Sequence, residues 1–92
     1  MDAVEDMAAA AREELERACT LGWNQLQGLT PWGDTFDGFT PHGQEVSFER
    51  SYLWEGAPGT DIRVEITVFE PHAYEQGVRL ARIIHREENE TT

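Results

Sequence analysis

The spacing of apolar residues changes period twice along this 92-residue chain. Between Asp2 and Thr20, Val4, Ala8, Ala11, Leu15, Ala18 and Cys19 recur every three or four positions, with Met7 at their flank. That is the pattern of an amphipathic helix. Its alanines favour helix, and Gly22 supplies a stop. At about 100° per residue, Asp2, Glu5, Asp6, Glu13 and Glu16 fall on the opposite face. The first three also suit the positive end of the helix dipole. Residues 21–33 keep no period. Gly22, Gly28, Gly33 and Pro31 forbid a long regular element. Leu21, Trp23, Leu26, Leu29 and Trp32 are nonetheless apolar, which predicts a connection crossing the core with a short helical turn around Trp23–Gln27.

From Asp34 the period becomes two. Asp34–Phe39 is a short strand candidate, followed by the turn signal Thr40-Pro41-His42-Gly43. In Gln44–Glu55, Val46, Phe48, Tyr52 and Trp54 point one way, and Glu45, Ser47, Glu49, Ser51 and Glu55 the other. Arg50 breaks the inner set, so it should reach an edge or pair with a carboxylate. After a Gly/Pro loop, Asp61–Glu70 alternates again, with Ile62, Val64, Ile66 and Val68 against Arg63, Glu65 and Thr67. The short loop predicts an antiparallel hairpin. Pro71 then suits the first turn of a helix. Ala73, Tyr74, Gly77, Val78, Leu80, Ala81 and Ile84 would form its apolar face. Glu75 and Arg79 are spaced for a helical ion pair, and Arg79, Arg82 and Arg86 would make a basic stripe paired with Glu75 and Glu90. The polar tail, about residues 87–92, should fray. The expected fold is a single small α+β domain over residues 1–92: helix, three-stranded antiparallel sheet, helix, with both helices packed on one face of the sheet.

Charge changes the picture most. Eighteen acidic residues face seven arginines and no lysine, a formal charge of -11. Such a field repels nucleic acid and anionic membrane and attracts basic protein surface. With 10% aromatics the chain is too rich in large apolar groups for a disordered acidic tail. One cysteine excludes an internal disulfide and points to a reducing, cytoplasmic setting. No apolar run reaches membrane-spanning length, and the N-terminus is acidic where a signal peptide would be basic.

Catalytic and metal signatures are weak. His42, His72, His85 and Cys19 are scattered, and His72 with Glu75 is the one local pair. Cys19 lies on the apolar stripe, where a thiol is usually a small hydrophobe, and its acidic surroundings should raise its pKa. The glycines of residues 28–38 match no phosphate-binding spacing. No enzyme activity, cofactor or metal is therefore expected. The acids, by contrast, are ordered. Glu45, Glu49 and Glu65 share the outer strand face, where glutamate is a poor β-former. Glu5, Glu13 and Glu16 line the first helix. Ordered carboxylates on rigid elements can imitate a phosphate backbone or dock on a basic groove. Of the tryptophans, Trp54 at a strand end beside Glu55 is the expected partly exposed anchor.

In size, charge and helix–sheet make-up the chain resembles the small acidic proteins of phages and mobile elements, which include DNA mimics and anti-CRISPR proteins. No motif carries that likeness. What it implies is a non-enzymatic inhibitor that occludes a basic nucleic-acid-binding site on a host complex, acting as a monomer in the host cytoplasm and binding no nucleic acid itself. Glu45, Glu49, Glu65, Trp54, Glu5, Glu13 and Glu16 would form the contact. The alternatives from the same features are an immunity or antitoxin protein covering a basic nuclease, and a small acidic secretion-type chaperone.

Overall fold

The computed structural model describes residues 2–86. In chain order come α1 (Ala3–Ala18), the single-turn α2 (Trp23–Leu26) running into a 3-10 turn (Gln27–Leu29), β1 (Gly33–Phe39), β2 (Glu45–Trp54), β3 (Ile62–Glu70) and β4 (Ala73–Ile84). The four strands make one antiparallel meander in the order β1-β2-β3-β4. Asp2 caps α1, its carboxylate accepting the Glu5 N–H at 2.8 Å.

The segment after Pro71 is a strand, which overturns the expected three-stranded sheet flanked by two packed helices. Pro71 and His72 form the hairpin connection, with Glu70 opposite Ala73. Beyond it, Val78, Leu80 and Ile84 partner Val68, Ile66 and Ile62. Those three apolar residues satisfy a helical face and a strand face alike, and the intervening Ala, Arg and Leu favour helix by propensity. β3 settles the competition. Its Ile62, Val64, Ile66 and Val68 are fully buried. Left at the sheet's edge, so apolar a strand would expose a long unpaired backbone row. β4 fills that edge. The register slips between Val68 and Glu70, and Gly77 lies against this irregularity. A Cβ there would come within 2.7 Å of the Val68 carbonyl oxygen, so the bulge needs glycine.

With the helix goes the basic stripe. Arg79 reaches Thr67 Oγ1 at 3.0 Å and the Tyr74 hydroxyl at 3.1 Å, in place of the predicted helical pair with Glu75. Arg82 stands opposite Val64 on the other face, and Arg86 lies beyond the strand, over the Trp23 ring at 5.0 Å. The expected pairing with Glu90 and the fraying of residues 87–92 fall outside the described residues.

α1 lies across β3 and β4, burying Met7, Ala11, Leu15 and Ala18 with the inner faces of β2 and β3. A helix about 10 Å wide covers roughly two strands spaced about 4.8 Å apart. β1 is therefore covered only loosely: Ala10, Glu13, Glu14 and Arg17 of α1 face Phe36, Gly38 and Phe39 across an open cleft. The buried face of α1 is rotated from the predicted stripe: Val4 is 58% exposed, whereas Asp6 and Glu14 are buried. Both acids have partners on the β1–β2 side. Asp6 accepts from the Thr40 hydroxyl and, at 3.3 Å, from the His42 N–H. Glu14 sits between Arg17 and Arg50. Trp23 is buried behind α1, its Nε1 donating to the Thr60 carbonyl at 2.9 Å.

Candidate functional site

Strand alternation sends Val46, Phe48, Tyr52 and Trp54 toward the helices and their neighbours to the opposite side. Among the described residues no helix packs on that opposite side. Cross-strand pairing arranges it in rows: Phe39 with Glu45, Asp37 with Ser47 and Phe69, Thr35 with Glu49, Thr67 and Arg79, Ser51 with Glu65 and Ala81. Glu45, Glu49 and Glu65 thus share one open face, as their spacing predicts. Glu45 and Glu49, four strand residues apart, stand about 13 Å from one another.

These carboxylates are braced. The Tyr74 hydroxyl donates to Glu49 at 3.3 Å and accepts from Arg79. Arg63 lies 3.0 Å from Glu55 and 3.5 Å from Glu65. The Ser47 hydroxyl donates to Asp37 at 2.9 Å. Such contacts restrict rotamers and lower the entropy lost when a partner binds. Large apolar groups stand among them: Phe39 is 69% exposed, and Tyr74 and Ile83 are exposed as well. Phe69 meets Tyr74 edge-on at 4.7 Å. The face is a carboxylate surface studded with aromatic rings.

Trp54 is not on it. The predicted anchor points to the helix side, opposite Ile62, with its ring 6.1 Å from that of Trp23. Being at the strand's end leaves it half-buried, but its parity in β2 matches Phe48 and Tyr52, not Glu45 and Glu49. The exposed tryptophan is Trp32, at 72%. Its position between Pro31 and Gly33, outside any periodic run, was the available signal. Glu5, Glu13 and Glu16 are exposed along α1. They belong to the helix layer, across the sheet from Glu45, Glu49 and Glu65, although Glu13 reaches the β1 edge, where it lines a cleft with Phe36, Gly38 and Phe39. Asp6, predicted among the outward acids of α1, is buried on the turn instead.

A second feature lies at the start of β1. Leu21, Leu29 and Trp32 form one wall of a cleft of about 290 Å³ whose floor is Asp34, Arg50 and Tyr52. Arg50 fills the break in the inner pattern by pairing with carboxylates. Its Nε donates to Asp34 at 2.7 Å, its Nη1 lies 3.2 Å from Glu14, and its guanidinium sits 4.9 Å from the Phe36 ring centroid. The hydrogen bonds from Arg50 hold the Asp34 carboxyl below its ordinary pKa, and Arg50 in turn is raised. Burial pushes the Tyr52 phenol up. The Cys19 thiol is also raised by burial, with Arg82 opposing, so the expected cause, acidic surroundings, is not the one that acts. Both groups stay protonated near neutral pH. His72 sits in the β3–β4 turn and Glu75 in β4, so their helical spacing is gone. Among the described residues no three His, Cys, Asp or Glu side chains converge as a metal site, and no helix is long and apolar enough to cross a membrane.

No family model, curated protein or solved structure matches this chain.

Proposed function

We propose that this protein is a non-enzymatic inhibitor whose open sheet face covers a basic, nucleic-acid-binding surface of another protein in the host-cell cytoplasm. The observation that carries the reading is the composition of that face. Glu45, Glu49, Glu65 and Asp37 are held on paired strands and interleaved with exposed Phe39 and Tyr74. Carboxylates at fixed positions offer arginine and lysine the negative charge that a phosphate backbone would otherwise supply, and they steer association through the field of the -11 charge. The aromatics add desolvated contact area, which charge alone does not provide. No bond is made or broken in this reading; inhibition is by occupancy.

The test is affinity capture from a host lysate with three forms of the chain: the parent, Glu45→Lys/Glu49→Lys/Glu65→Lys, and Glu5→Lys/Glu13→Lys/Glu16→Lys. The parent should retain a nucleic-acid-binding protein that excess duplex DNA releases, and capture should weaken as salt rises. The sheet triple should lose it and the helix triple should keep it. Retention that DNA does not compete, or equal losses from both triples, would defeat the reading. So would tight binding of DNA by the protein itself.

A further inference from the structure

We infer that the free edge of β1, with the cleft beside it, is a strand-addition site for an extended segment of a partner protein in which basic and bulky apolar residues alternate. This rests on the reading that the partner is basic, and it specifies how that partner is gripped. Three observations converge. The first is the backbone. The Tyr52 N–H donates to the Trp32 carbonyl at 3.0 Å, so in this antiparallel ladder the even-numbered residues of β1 bond to β2. The N–H and C=O groups of Gly33, Thr35, Asp37 and Phe39 face outward, and β1 is the end strand of the sheet. An unpaired row of this kind is a template for another strand.

The second observation is the apolar wall. Trp32 and Leu29 are exposed at the start of this edge, over the cleft. A strand laid along β1 sends alternate side chains to the helix side, beside this cleft and Phe36. The cleft suits an uncharged group, because its only cation, Arg50, is already shared between Asp34 and Glu14.

Third comes charge. Residues 33–39 read Gly-Asp-Thr-Phe-Asp-Gly-Phe, with two acids and no base. The other alternate set of an added strand lies beside Asp37 and Glu45 on the open face, where arginine or lysine is favoured. A second copy of this chain would bring aspartates against aspartates between two bodies of charge -11, which selects against self-pairing. The opposite edge, β4, carries Arg79 and Arg82 and lacks this complementarity.

The probe is a synthetic peptide of alternating arginine and isoleucine, titrated into the ¹⁵N-labelled full chain and followed by amide shifts and hydrogen exchange. Shifts and new protection should appear at Gly33, Thr35, Asp37 and Phe39. Thr35→Pro removes an outward N–H that the ladder to β2 does not use, so the fold should survive while binding falls about tenfold or more. Trp32→Ala should cause a similar loss. A peptide alternating glutamate and isoleucine should not bind. Shifts confined to the Glu45, Glu49 and Glu65 surface would overturn the edge site while leaving the open-face reading intact. Concentration-dependent self-pairing at β1, or no binding at millimolar peptide, would also overturn it. Equal binding by folded Thr35→Pro would do the same. DNA competition in the lysate experiment is a separate readout, so the two ideas can fail independently.

Discussion

Replacing Arg50 tests the unusual part of this core. Arg50 lies on the inner sheet face between Phe48 and Tyr52, directly opposite Ile66, a position that strand alternation otherwise reserves for apolar residues. It is there because it neutralises Glu14, whose side chain is only 4% exposed. Arg50→Met keeps the stem's bulk and deletes the charge. Removing one partner of a buried pair typically costs 3–5 kcal/mol. Here Arg17 still touches Glu14 from the rim, and Asp34 is half-exposed and can rehydrate, so we expect the low end, about 3 kcal/mol. Against a total of roughly 5–14 kcal/mol for a chain this long, that is a large share. It should lower Tm by about 12–24 °C. Glu14→Gln alone should cost less, about 1 kcal/mol, because Arg50 keeps Asp34. The double variant should recover much of the loss, with a coupling of about 1–3 kcal/mol. Urea and thermal melts by circular dichroism give all four corners of the cycle. Additivity within about 0.5 kcal/mol, or an Arg50→Met melt matching the parent, would refute the claim that Glu14 is a buried charge requiring Arg50.

Two further outcomes are expected. Gly77→Val should destabilise by about 1–3 kcal/mol or more, because its Cβ would meet the Val68 carbonyl oxygen at 2.7 Å; in a helix the same change would be neutral or helpful, so a raised melting temperature would count against the β4 bulge. Acid should weaken the fold through Asp34 and Asp61, both held below the ordinary 3.8, the first by Arg50 and the second by the Arg86 N–H and then His85. Their contribution is complete above that value and disappears as pH falls through the lowered ones. Arg50→Met should flatten the Asp34 share of this slope, and an identical acid limb in parent and variant would contradict it.

Much of this architecture was legible in local pattern. The alternation of Glu45–Trp54 and Ile62–Glu70 placed the hairpin and the sharing of one face by Glu45, Glu49 and Glu65. What escaped was set by neighbours distant in sequence. Residues 73–84 read as helix by propensity and became strand because β3 needed an edge partner. The apolar stripe of α1 predicted Val4 inside and Asp6 outside; the turn hydroxyl of Thr40 and the guanidinium of Arg50 reversed this by offering the acids partners. A hydrophobic count cannot weigh a hydrogen bond that closes over more than thirty residues, as between Asp6 and Thr40. Alternation put Trp54 on the inner face, where it stands half-buried at the strand end; what it did not carry is that Trp23 packs beside its ring.

Arg50 also links the fold to recognition. With α1 packed mainly on β3 and β4, the inner face near β1 is only loosely covered, with open clefts on either side of Phe36 and Asp34. An aliphatic residue at position 50 would stand at the margin of that gap with apolar surface in water. Arginine solves this by laying its guanidinium near Phe36 and its nitrogens on Asp34 and Glu14, covering the core margin with a paired polar group. The same pairing leaves no uncompensated charge in the floor beside Trp32. Specificity then divides by face. On the helix side of an added strand Arg50 is already shared between Asp34 and Glu14, so apolar groups are preferred beside Leu29 and Trp32, whereas exposed Glu13 lies beside Phe36 and Gly38 toward the other end. On the open side Asp37 and Glu45 remain available to cations. A sheet whose edge strand is only loosely covered thus offers different chemistry along and across that edge, which net charge alone cannot do.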